Sequence, residues 1–348
     1  MSCANDACEI TAASVRGAGE AAGASVTAPF AAPRPALSGK AAARNAGVFA
    51  PHRPLTRRAF ARGLAVAALS AAAFPLAGCV DQHPYRNADG SEQQRLVATS
   101  PAVATICDKL DLELAGVCNT TRDLPERYAE LPQVGSPMSP DLETLKSLHP
   151  SCVISPNTLI DDLRPKYAGI AVACMFLDLR SVDGMYESIS AMGAKFDRRD
   201  QAQALAAEYD AFMADFRASI QGKPQPSVLV LMGLPGSYIV ATENSYAGSL
   251  VALAGGQNVY AGSGQEFLNV NTEDMQARDP DIILRTAHAL PDQVMQMFAD
   301  EFATNDVWKH FRAVKEGRVY DLPYDQFGMS ATFNYPDALQ TLQPMLYS

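Results

Sequence analysis

From about Val182 to Gln221 the chain contains no proline and carries Leu205, Tyr209, Phe212, Met213, Phe216 and Ile220 at helical spacing. On both sides of this stretch, short apolar runs alternate with helical patterns, the signature of parallel βα units. A helical segment this long, interrupted only at Phe196-Asp197-Arg198-Arg199-Asp200, exceeds an ordinary crossover between strands. It predicts a rigid bridge (182–221) between two α/β lobes. The first lobe (95–181) should hold strands near 95–99, 113–118, 152–155 and 172–178, with helices near 102–110, 140–148 and 158–168. The second (222–348) begins after Pro224 and Pro226, with strands near 228–232, 238–241, 282–285 and 318–322. Its helices are expected near 246–254, 272–278, 291–299, 306–311 and from Pro336 onward.

The first 78 residues do not share this pattern. Residues 1–54 are rich in Ala, Gly and Pro, a composition that cannot offset the entropy of ordering. Leu55-Thr56-Arg57-Arg58-Ala59-Phe60-Ala61-Arg62 resembles a twin-arginine export signal. The apolar run that follows, 63–74, is shorter than the ~20 residues of a membrane span. It ends in Leu76-Ala77-Gly78-Cys79, which resembles a bacterial lipobox, where the cysteine thiol receives a diacylglyceryl group and becomes the new amino terminus. We therefore expect a leader with a signal peptide over 1–78, and a lipid-anchored tether over 79–94. The body would then lie outside the cytoplasm, on the outer face of the cell membrane.

The 348 residues carry 28 Lys and Arg against 38 Asp and Glu. Without the leader's eight basic and three acidic side chains, 20 face 35, a net charge of −15. So acidic a body argues against nucleic acid as a partner, which needs a basic face to track phosphates. Of seven cysteines, Cys3 and Cys8 lie in the leader and Cys79 at the anchor. Cys107, Cys118, Cys152 and Cys174 sit among apolar neighbours and read as buried thiols, although an exported chain could pair them. No Cys/His spacing suggests zinc.

Catalytic motifs are missing. Gly233-Leu234-Pro235-Gly236 lacks the third glycine of a dinucleotide loop, and its proline blocks the expected helix. There is no phosphate-cradling loop, nucleophile elbow or HExxH. The adjacent carboxylates Asp161-Asp162 point apart on a helix. A binding protein is favoured over an enzyme.

Three positions at element ends remain as candidates. Thr99-Ser100-Pro101-Ala102-Val103 closes a strand and opens a helix, with Ser100 as N-cap and Pro101 at the first helical position. Free amides there suit a carboxylate, although such caps also occur without a ligand. Gly135-Ser136-Pro137-Met138-Ser139-Pro140 is a second strand-end loop, feeding a helix that Ser139 should cap. A thioether between two prolines either plugs the loop onto the core or serves as a soft axial ligand to iron. His288 follows Ile282-Ile283-Leu284-Arg285-Thr286-Ala287 and so leaves a strand at its carboxyl end, where α/β sheets place their ligand crevice. The other histidines fall in the leader (His52), the tether (His83) or at polar helix ends (His149, His310).

Together, 97–103 and Val134-Gly135-Ser136-Pro137-Met138-Ser139-Pro140-Asp141-Leu142-Glu143 resemble the ABC-transporter binding proteins for iron complexes, haem and cobalamin. The segments 229–238, 280–288, 306–311 and 317–322 narrow the likeness to the haem-binding lipoproteins of Gram-positive bacteria. It runs from about Arg95 to Tyr347. The resemblance implies two Rossmann-like lobes bridged by a single long α-helix, the class III periplasmic-binding-protein fold, with haem b in the cleft. It implies axial ligation by Met138 and His288, and a propionate held near Ser100, Ala102 and Val103. It also implies that Glu143 and Glu273 reach basic pockets on an ABC permease, and that the protein is a monomer without turnover. Whether a haem-donor protein supplies the cargo stays open. The alternatives are a ferric-siderophore or cobalamin binder of the same fold and, in another class, a secreted haem- or metal-dependent enzyme.

Overall fold

The computed structural model describes Gln94–Ser348. The expected leader and signal peptide, the expected anchor Cys79 and most of the expected tether lie outside the described residues, as do His52 and His83.

In the first lobe, strands β1 (Leu96–Ala98) and β2 (Leu114–Val117) flank helix α1 (Pro101–Lys109). A two-stranded hairpin, β3 (Gly135–Ser136) and β4 (Ser139–Pro140), leads into the short helix α2 (Leu142–Ser147). Strand β5 (Cys152–Pro156), helix α3 (Ile160–Gly169) and strand β6 (Cys174–Leu177) complete the unit. The sheet is wholly parallel, in the order β2-β1-β5-β6. Its strands bury both faces, as parallel strands must: Leu96, Ala98 and Ile154 point into one core, Val97 and Val153 into another.

The predicted bridge is two helices, α4 (Val182–Lys195) and α5 (Arg199–Ile220). Asp197 at φ +56° breaks the run, and the chain doubles back. A Cβ on Gly193 would stand 2.6 Å from that of Ala202, so glycine lets the helices approach closely. Further along the pair, Tyr186 stacks on Tyr209 at 4.4 Å, and Tyr209 donates a hydrogen bond to Asp183. These pairings are antiparallel. Helix α4 packs on β6 of the first lobe and on α6 of the second, and α5, about 33 Å long, lies against it. The 182–221 segment is thus a helical hairpin, with its break inside the interruption at 196–200.

The second lobe contains β7 (Ser227–Leu234), β8 (Ser237–Ala241), helix α6 (Tyr246–Leu253), β9 (Gln257–Asn258) and β10 (Phe267–Leu268). Helix α7 (Thr272–Ala277), β11 (Ile282–Ala287), helices α8 (Pro291–Thr304) and α9 (Arg312–Lys315), β12 (Val319–Asp321) and helix α10 (Tyr335–Tyr347) follow. The sheet order is β10-β8-β7-β11-β12, with β9 also on β7. Strands β7, β9, β11 and β12 are parallel, but β8 runs antiparallel to β7 and β10 antiparallel to β8. The antiparallel β8 and β10 depart from the parallel βα pattern. The cause is Leu234-Pro235-Gly236-Ser237, where proline followed by glycine at φ +81° makes a tight turn.

One core runs through both lobes. It joins β1 and β5 of the first sheet to β7 and β11 of the second through Met185, Ile189, Tyr209, Met213, Leu250 and Leu339. No described helix is long and apolar enough to cross a membrane.

Candidate functional site

Contacts between loops join the lobes beyond the carboxyl ends of their strands. The Arg122 guanidinium, in the loop after β2, lies 4.7 Å from the centre of the Tyr324 ring, in the loop after β12. Ala331 N donates to Leu179 O at 2.7 Å, past the end of β6. The carboxyl edges of the two sheets thus face each other across one cleft, and loops on these edges carry the candidate residues.

At the centre of the first edge, Ser100 caps α1. Its hydroxyl accepts from Val103 N at 3.2 Å, and its carbonyl accepts from Ala104 N at 3.0 Å. Pro101 has no N–H. Of the first-turn amides, these bonds leave that of Ala102 open to a ligand, while Val103 is buried with its amide already engaged. A buried chain of hydroxyls stiffens this edge: Thr99 Oγ1 lies 2.7 Å from Ser155 Oγ, which lies 3.1 Å from Tyr167 OH.

Met138 sits at the tip of the β3–β4 hairpin, with Pro137 and Met138 forming its two-residue turn. The strand leading into it runs parallel to β2, pairing Gln133 with Val117, so the tip projects past the carboxyl end of β2. Asn119 clamps the hairpin from both sides: its N–H donates to Gly135 O at 2.8 Å, and its Oδ1 accepts from Gly135 N at 2.9 Å. Gly135 itself is at φ +89°, and a Cβ there would come within 2.7 Å of Asp141 N. Met138 is 64% exposed, so it does not plug the loop onto the core. Helix α2 is capped by Asp141, whose Oδ1 accepts from Glu143 N and Thr144 N, and not by Ser139, which is in the hairpin. Pro140 sets this boundary, because it holds the preceding residue extended.

On the opposite edge, β11 pairs Ala287 with Gly233 of β7, and His288 N donates to Gly233 O at 2.9 Å. The imidazole leaves the sheet there, half-buried, with a buried Nδ1 that has no hydrogen-bond partner among the described residues. Burial lowers its pKa below the usual histidine value, which keeps the ring neutral with a lone pair available for a metal. His149 and His310 lie at helix ends, away from this edge.

Glu143 and Glu273 occupy equivalent places. Each is exposed, the second residue of a six-residue helix, one per lobe, behind an Asp141 or Asn271 cap. Cys107 and Cys118 are buried free thiols. Burial pushes Cys107 up to about 12 and Cys118 up to about 11, far from the thiolate a nucleophile needs.

The edges therefore offer one soft thioether and one neutral imidazole. Among the described residues no group of three or more His, Cys, Asp or Glu side chains could hold a bare metal ion. Two donors suit iron whose other four positions are already filled by a macrocycle. Sequence reasoning missed Asn119 and Asp141, both of which act on backbone. Asp141, followed by Leu-Glu-Thr just after a proline, was a legible N-cap signal; Asn119 had none.

The family model described as "Periplasmic binding protein" matches residues 96–325. The high-affinity heme uptake system protein IsdE of Staphylococcus aureus is 40% identical over 258 residues, 74% of this chain and 88% of that protein. The crystal structure of S. aureus IsdE complexed with heme superimposes with a TM-score of 0.70 at 39% identity, covering 74% of this chain and 100% of that one. An ABC transporter substrate-binding protein from Listeria monocytogenes EGD-e gives a TM-score of 0.70 at 46% identity, covering 73% and 99%.

Proposed function

We propose a function from one premise: the chain belongs to the periplasmic binding protein family. It is a haem-binding member that hands its cargo to an ABC import permease and performs no chemistry on it. The observation that carries this reading is the pairing of an exposed methionine on one lobe edge with a neutral histidine on the facing edge. The uptake role and bound heme of the S. aureus relative support it.

In this reading Met138 and His288 take the two axial positions of the iron, one from each lobe. The iron then ties the cleft together, and no position is left open for O₂ chemistry. The Ala102 amide, at the positive end of α1, receives a propionate. Glu143 and Glu273 meet basic pockets on the permease, one per lobe, and Cys79 carries the lipid that keeps the protein at the membrane. The protein acts as a monomer.

Hemin mixed with the purified protein is expected to yield a low-spin Soret and visible spectrum that stays with the protein through gel filtration. Hemin that elutes separately would overturn the reading. Peroxidase or haem-degrading turnover would move it to an enzyme.

A further inference from the structure

Leu290 breaks three local rules at once. Among the described residues, Met138 and Leu290 are the two exposed large apolar side chains, and Leu290 is 54% exposed. It adopts φ +48° and ψ 58°, a left-handed conformation that glycine and asparagine accept and a bulky side chain resists. It is also the N-cap of α8, where Ser, Asp or Asn would supply an acceptor and leucine supplies none.

The surrounding backbone imposes this geometry. On one side, the His288 amide is tied to Gly233 O; on the other, Val294 N donates to Leu290 O at 3.1 Å. Val294 and Phe298 bury their side chains in the second-lobe core and fix the start of α8. The chain must reverse within two residues, and nothing inside the protein rewards leucine for being there. Local rules broken without internal compensation mark functional positions. Here the residue stands two positions after the imidazole, on the edge facing Met138.

We propose that Leu290 is a ligand-contact residue, the apolar plate of the second lobe against which the flat face of the porphyrin rests. This builds on the haem reading above. A charged iron chelate would call for hydrogen-bond donors at this point. A macrocycle with two apolar faces calls for a bulky aliphatic group beside the histidine. The left-handed turn holds the leucine outward, so it covers the ring instead of folding back onto Val294.

The test is hemin dissociation from the full chain into excess apomyoglobin, with Leu290→Gly and Leu290→Met compared to wild type. Glycine suits the backbone, so Leu290→Gly is expected to fold with an undiminished melting temperature. It should keep the low-spin spectrum and release hemin roughly tenfold faster, the effect of exposing one aliphatic side chain's worth of ring. Leu290→Met should stay within about threefold of wild type, because it restores apolar cover. An unchanged release rate in Leu290→Gly would overturn the proposal. So would a shift to a high-spin spectrum, which would mean that the residue acts by positioning His288. Wild-type protein that takes up no hemin would overturn the haem reading along with it.

Discussion

His288 and Glu266 are both half-buried, and burial moves each toward its neutral form: the imidazole loses affinity for a proton, the carboxyl gains it. Glu266 lies on the second lobe near Asp178 and Arg180, past the end of β6. Burial contributes most to its rise to about 7, the Asp178 carboxylate adds to it, and Arg180 opposes. Arg180 is already held by Asp178 at 2.7 Å, and one Glu266 oxygen has no hydrogen-bond partner. A carboxyl raised on folding contributes stability that is complete below its unfolded pKa near 4.5 and is lost as pH rises through about 7. Glu266→Gln escapes that loss. Its unfolding free energy should match wild type near pH 4, pull ahead between pH 4.5 and 7, and stay ahead above pH 7 by about 1–2 kcal/mol. A gap that does not change with pH would contradict this assignment.

The hairpin carrying Met138 shows what an element adds to a residue. Pro-Met-Ser-Pro signals a loop, and the two-residue turn between paired strands is set by contacts with Asn119, which is distant in sequence. Gly135→Ala should strain the positive φ and press on Asp141 N. We expect hemin affinity to fall by tenfold or more, with a stability loss of about 1–2 kcal/mol. Unchanged affinity would show that the hairpin's geometry does not matter. Among the elements, the Ser100 cap, the α/β lobes and the exit of His288 from β11 were all legible, because period and capping are local. The α4–α5 reversal was visible only as an interruption, since its cause is close packing of Gly193 on Ala202. The Pro-Gly turn was read only as a failed nucleotide loop, so the antiparallel β8 went unseen. Leu290 gave no sequence signal at all, because its strain exists only in the fold.

Across the whole molecule, a continuous core runs from the first sheet through α4, α5, α6 and α10 to the second. Tyr186, Tyr209, Phe212 and Tyr335 form an aromatic cluster along this spine, with Tyr186 OH 3.3 Å from Tyr335 OH. Opening the cleft widely would separate these rings, so ligand binding should move the lobes little. Solution X-ray scattering should give nearly superimposable envelopes with and without hemin, and a large compaction on loading would contradict the rigid spine. Glu143 and Glu273 stand at matched places on the two lobes, where the proposed function sets them against the permease.

The central claim is that one thioether and one imidazole, from opposite lobes, close on the same iron. Near-infrared magnetic circular dichroism of the ferric complex tests it most directly. Wild type should show the sulfur-to-iron charge-transfer band of methionine–histidine ligation. Met138→Ala should lose that band, and His288→Ala should lose the low-spin state. A ferric spectrum that is the same in all three proteins would contradict the account.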